Sequence, residues 1–224
     1  MATDGIPTPV DPVQLTTTDA VLYTVPDGKM AIIKHMLVVA GTGSDAQVGI
    51  YRRRANSGGD YDLRSKSSDR LLLLADEETW DFDLMLGPAE TLRGSSNLAT
   101  GVWVHISAIE ATTTGESSYP LLIAPVNLTT SEATVHTVAA GYVDIIKEIL
   151  INAGTQGDAQ VSIFRRVSSV DYPIRIKSSS YPITNADTEV HHYDLMLDEN
   201  ESLRMSSDTT GVDVHISAVR VTKT

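Results

Sequence analysis

Hydrophobic and polar side chains alternate along much of this chain at a period of two. Val143, Ile145, Ile149 and Ile151 fall on one side of a segment whose other side carries Asp144, Glu148 and Asn152. That is the pattern of a half-buried β-strand. A glycine-bearing turn (AGTQGD) and the apolar run VSIF come next, predicting a hairpin with a longer loop. Val102, Val104, Ile106 and Ala108 line one face of another predicted strand, and Val212, Val214, Ile216 and Ala218 line the last one. Leu84 and Leu86, like Leu195 and Leu197, mark strands that end at turns, GPAE in one case and DENE in the other. No stretch keeps a helical period.

The same pattern occurs twice. Residues 12–53 align without a gap onto 125–166, with 23 of 42 positions identical. The match resumes at DLMLGPAETLRGSSN against DLMLDENESLRMSSD and closes at GVWVHISAIE against GVDVHISAVR. A tandem duplication follows, with an extended arm at 1–14, repeat 1 at 15–111, a linker or arm at 112–127 and repeat 2 at 128–224. Roughly six to eight strands per hundred residues predict an all-β chain of two β-sandwich domains, jelly-roll-like. The Pro-flanked arms read as extended backbone, either linkers or straps onto a neighbouring subunit.

Composition narrows the function. The balance of 17 Lys+Arg against 29 Asp+Glu, a net charge of −12, argues against a protein whose main task is gripping nucleic-acid phosphates. The absence of cysteine removes disulfides, thiolate metal sites and cysteine nucleophiles. No secretory signal and no membrane-spanning apolar run are visible. No cofactor or metal site is expected, because His191 and His192 are adjacent and point to opposite faces of a strand. His105 with Ser107, and His215 with Ser217, share an outward strand face but lack the orienting acid and oxyanion context of a triad. The residues therefore predict no catalytic site.

The repeats differ in one direction. On the face read as outward, repeat 1 carries Ala31, Ile33, His35, Leu37, Val39 and Trp103, where repeat 2 carries Asp144, Ile146, Glu148, Leu150, Asn152 and Asp213. An outward apolar face with an aromatic marks a contact surface. Ile33, His35, Leu37, Val39 and Trp103 are thus interface candidates, and the repeat 2 face is expected to meet solvent. Arg52 and Arg53, with Arg165 and Arg166 at the equivalent strand end, are further candidates, as an ion-pair patch within the protein or across a subunit boundary.

The stretch LYTVPDGKMAIIKHMLVVAGTGSDAQVGIYRR, with DLMLGPAETLRGSS and GVWVHISAIE, resembles a β-sandwich domain of tailed-bacteriophage virion proteins. Its marks are a TVP-x-GK start, an L-x-x-x-E-x-L-R turn and a closing V-x-V-x-I-S strand. Repeat 2 departs from it at Val138-Ala139-Ala140-Gly141-Tyr142. The resemblance implies a non-enzymatic structural virion component of the head-decoration (cement), neck or tail-associated type, assembled in the host cytoplasm. It also implies a homo-oligomer, a trimer or hexamer, bound to other virion proteins. The alternative is a carbohydrate- or host-receptor-binding module, for which Trp103 is the candidate platform.

Overall fold

The computed structural model describes residues 6–41, 43–54, 59–73, 75–112, 118–175, 177 and 182–223. Residues 1–5 of the expected arm and 113–117 of the expected linker lie outside the described residues. The chain forms two compact units, Met1–Thr113 and Thr114–Thr224. No helix is present among the described residues.

Unit 1 contains β1 (Ile6–Pro9), β2 (Val13–Leu15), β3 (Ala20–Thr24), β4 (Lys29–Ala40), β5 (Ala46–Arg53), β6 (Asp60–Arg64), β7 (Leu71–Leu72), β8 (Glu77–Leu86), β9 (Thr91–Ser96) and β10 (Val102–Thr112). Unit 2 contains β11 (Ser118–Leu122), β12 (Val126–Leu128), β13 (Ala133–Thr137), β14 (Tyr142–Asn152), β15 (Val161–Val167), β16 (Val170–Arg175), β17 (Thr188–Leu197), β18 (Ser202–Ser207) and β19 (Val212–Thr222). In unit 1 one sheet runs β1-β10-β4-β8, with β2 also on β10, and the other runs β3-β9-β5-β6. Unit 2 repeats this as β11-β19-β14-β17, with β12 on β19, and β13-β18-β15-β16. Counting β1 with β2 as one interrupted strand, and omitting the short β7, the order is first-eighth-third-sixth over second-seventh-fourth-fifth. All pairs are antiparallel, and this order is that of a jelly roll.

The segments read as arms are strands of their own units. Ile6–Pro9 pairs with Ser107–Glu110, and Ser118–Leu122 pairs with Ser217–Val221. Each covers an edge that would otherwise expose a row of unpaired backbone groups.

The shared motifs form one hydrogen-bonded corner in each unit. Val25 N–H donates to the Glu90 carbonyl and Ala89 N–H to the Val25 carbonyl; Val138 N–H and Asn200 N–H repeat this with Glu201 and Val138. The turn after Val25 closes by Lys29 N–H donating to the Pro26 carbonyl, and places Gly28 at φ 72°. Its counterpart has Gly141 at φ 83°. Only the left-handed position demands glycine, so repeat 2 keeps Gly141 while Pro26, Asp27 and Lys29 give way to Ala139, Ala140 and Tyr142.

The core lies between the sheets. In unit 2 it is built from Ile146, Ile149, Ile151, Val161, Ile163, Leu203, Val212, Val214 and Ile216, among others. Both long strands are interrupted by a β-bulge. The register of β4 shifts between Ile33 and His35, and that of β14 between Ile146 and Glu148. Against the closing strands β10 and β19 the extra residues are Lys34 and Lys147, which ion-pair with Asp83 and Asp194. A bulge reverses the inward and outward sets on its two sides.

Candidate functional site

The sheet formed by β1, β10, β4 and β8 has a core side and an outer side, and β10 shows both clearly. Val102, Val104, Ile106 and Ala108 are buried, while Trp103, His105 and Ser107 are exposed, Trp103 by 42%. The cross-strand partners of these three are Val39, Leu37 and His35, all half-buried. The outer face of unit 1 is therefore an apolar strip of Trp103, Val39 and Leu37 bordered by polar groups. His35 Nδ1 lies 2.8 Å from Asp81 Oδ1, and Glu77 and Thr79 stand opposite Val39 and Leu37.

Ile33 does not belong to this face. It and Ala31 are fully buried, because the bulge at Lys34 turns Ala31 and Ile33 inward together with Met36 and Val38. An uninterrupted period of two puts Ile33 on the same side as His35; the extra residue separates them.

The repeat 2 face does not meet solvent. Asp144, Glu148, Asn152, Asp213, His215 and Ser217 are all buried. Asp144 is turned inward by the bulge at Lys147, as Ala31 is in unit 1. The others are polar groups with partners. Asn127 Nδ2 donates to Asp213 Oδ1 at 2.9 Å, Asn152 Nδ2 to Thr188 Oγ1 at 2.8 Å, and Gly154 N–H to Asn152 Oδ1 at 2.8 Å. His192 Nδ1 stands 3.4 Å from Glu148. Polar character predicts solvent only where such partners are missing.

The arginines are held by carboxylates of their own units. Arg52, 1% exposed, donates from Nε and Nη2 to Glu90 Oε2 at 3.0 and 2.5 Å, and Gly87 N–H donates to the same oxygen at 2.7 Å. Arg165 and Glu201 repeat the pair at 2.9 Å, with Asp198 N–H on Glu201. Arg53 forks onto Asp60 and Arg166 onto Asp171. Arg93 with Asp19 and Arg204 with Glu132 form a third matched pair, and Arg64 with Glu78 and Arg175 with Glu189 a fourth. All of these pairs lie within a single unit. Each acid recurs at the repeat spacing in the sequence, which is the signal that identifies the partners.

His105 is exposed on one outer face and His215 buried on the other, and His191 Nε2 sits 3.1 Å from Glu189 beside Arg175. Among the described residues, no group of three or more His, Cys, Asp or Glu is placed to hold a metal ion. A shallow groove opens where β1 and β2 part along β10, lined by Pro7, Thr8, Val10, Ile106, Ser107 and Ala108. Its lining carries no titratable side chain.

No protein-family model matches the chain, and no curated protein matches it. Among solved structures, the STIV MCP, from Sulfolobus Turreted Icosahedral Virus, aligns over 95% of this chain and 97% of its own, with a TM-score of 0.38 and 11% identity. The major capsid protein P2 of bacteriophage PM2 covers 96% and 98%, with a TM-score of 0.37 and 11% identity. PNGase F, a glycosylasparaginase from Flavobacterium meningosepticum, covers 100% and 96%, with a TM-score of 0.39 and 9% identity. Two capsid proteins and a glycosylasparaginase score alike, so likeness at this level does not reach function.

Proposed function

We propose that this chain is a non-enzymatic structural component of a bacteriophage virion, of the head-decoration, neck or tail-associated type, acting as a symmetric homo-oligomer. The observation that carries the reading is the outer face of unit 1. There Trp103 is 42% exposed beside Val39 and Leu37, while Asp213 at the equivalent place in unit 2 is buried and hydrogen-bonded. An aromatic on an apolar strip with a polar border is the composition of a protein contact. The motifs that resemble phage virion domains support it: the TVP-x-GK start and the L-x-x-x-E-x-L-R turn meet in one hydrogen-bonded corner of unit 1, and the closing V-x-V-x-I-S motif is the core strand β10.

Native mass spectrometry of the purified chain tests the proposal. A closed trimer or hexamer supports it, and a monomer at tens of micromolar overturns it. An exposed Trp103 also suits a sugar ring, so glycan binding by a monomer is the result that favours the carbohydrate- or receptor-binding alternative.

A further inference from the structure

The closing strands of the two units are nearly interchangeable. β10 presents Val102, Val104, Ile106 and Ala108 to its core, and β19 presents Val212, Val214, Ile216 and Ala218, the same residue types in the same order. The core therefore does not distinguish one strand from the other. In a tandem repeat, exchange of such an element within a chain or between chains is a common route to misassembly.

One polar cluster does distinguish them. In unit 1, Tyr23 on β3 donates its hydroxyl to Glu110 Oε1 at 3.0 Å, and Lys29 Nζ donates to Glu110 Oε2 at 3.1 Å. In unit 2, Arg220 donates from Nε and Nη2 to Asp144 at 2.8 and 2.7 Å, and His136 Nε2 on β13 lies 2.7 Å from Asp144 Oδ2. The Tyr142 ring lies 4.9 Å beneath the Arg220 guanidinium. Residues 23, 29, 31 and 110 correspond to 136, 142, 144 and 220. Both clusters bridge the two sheets of their jelly roll, but their polarity is opposite. Unit 1 has its acid on the closing strand and its base on the long strand, and unit 2 has the reverse.

We propose that these two clusters act as mutually exclusive locks that direct β10 and β19 each into its own jelly roll. Arg220 lies directly opposite Asp144, and Glu110 directly opposite Ala31. With β10 in unit 2, Glu110 faces the buried carboxylate of Asp144. With β19 in unit 1, Arg220 joins Lys29 while the Tyr23 hydroxyl loses its carboxylate acceptor. Either exchange sets like charges together at a partly buried site, and a repulsion of that kind excludes a wrong partner that attractive contacts accept. Asn127 with Asp213, against Gln14 with Trp103, adds a second difference on the outer faces.

The test is oxidative refolding of the full chain with a cysteine pair as reporter, in a protein with no other cysteine. Val38 and Val104 are cross-strand partners facing the core, so V38C/V104C reports correct closure. V38C/V214C forms a disulfide only when β19 has closed unit 1. In the wild-type background the first pair is expected to cross-link and the second to stay reduced. In E110R/R220E, where each strand carries the other's charge, the crossed disulfide should rise roughly tenfold or more. Moving the rest of each lock as well (Y23H, K29Y and A31D with H136Y, Y142K and D144A) should return it to the wild-type level. A crossed disulfide that does not rise in E110R/R220E, whether or not that chain folds, overturns the proposal, as does a crossed product already abundant in the wild type.

Discussion

Arg52 and Glu90 form a buried ion pair in which one carboxylate oxygen, Oε2, accepts from Nε and Nη2 of the arginine and from the backbone N–H of Gly87. The pair ties the end of β5 to the turn that follows β8, and the turn's Glu90 carbonyl in turn holds Val25. Three segments far apart in sequence thus meet at Glu90. Glu201 does the same for Arg165 in unit 2, where the arginine side chain is 34% exposed.

That difference in exposure sets the expected cost of removing each arginine. Arg52→Ala leaves the buried Glu90 carboxylate with only the longer 3.8 Å pair to Arg54 and the Gly87 N–H, and should destabilise unit 1 by about 3 kcal/mol. Arg165→Ala, where water can replace the lost partner, should cost about 1 kcal/mol. Urea unfolding of the two variants checks the order.

Ala89 occupies the third position of its turn at φ 58°, where Asn200 in unit 2 has φ 63°. Asparagine tolerates this left-handed region and alanine does not. Ala89→Gly should therefore raise the stability of unit 1 by about 1 kcal/mol, read as a higher melting temperature. An unchanged or lower melting temperature contradicts the strain.

The bulge at Lys34 predicts a sharp contrast between residues four apart on one strand. Ile33→Ala opens a cavity in the core and should cost about 2–5 kcal/mol. Leu37→Ala, on the half-buried outer face, should cost less than about 1 kcal/mol in the isolated chain. Equal costs from denaturant titration refute the assignment of faces.

Asp144 is subject to burial, which raises its pKa, but the Arg220 and His136 bonds more than offset that and hold the carboxyl below its ordinary value. Its folded pKa is lower than its unfolded one, so its contribution is fully present above about pH 4 and is lost as pH falls through the folded value. Asp144→Asn should flatten that acid-side loss in unit 2 while lowering stability at neutral pH. Glu110 is half-buried, which raises its pKa, but Lys29 and Tyr23 hold it below its ordinary value, so Glu110→Gln should do the same for unit 1. Unfolding free energies measured from pH 7 to pH 3 give the slopes.

If unit 1's outer face is the oligomer contact, Trp103→Asp places an unpaired carboxylate in it, at a cost on the order of several kcal/mol. Sedimentation velocity should show dissociation by at least about a hundredfold in concentration, with circular dichroism unchanged. Association that survives the substitution removes Trp103 from the contact.

The duplication, the strands and the jelly-roll class were legible because identities at a fixed spacing and period-two alternation are local properties of a chain. The side of the long strand that faces the core was only half legible. Ile32-Ile33 and Ile145-Ile146 are adjacent apolar pairs, so an alternating pattern passes through either phase there and hides the inserted lysine. The pairing of Asp213, Asn152 and Glu148 was not legible for a different reason: their partners Asn127, Thr188 and His192 come from other strands. Arg52 and Arg53 looked alike as neighbours, yet one is buried on Glu90 and the other sits at the surface on Asp60.

The inserted lysine makes β4 two half-strands joined out of phase. Deleting Lys34 does not trim the strand by one harmless residue. Whichever half keeps its place, the other rotates, and either Ala31 and Ile33 leave the space between the sheets or His35, Leu37 and Val39 are driven into the space filled by Met36, Val38 and Ala40. The position therefore tolerates exchange of its side chain far better than loss of its backbone. A library of single-residue deletions along β4 should show its deepest defect at a residue whose own side chain lies in solvent.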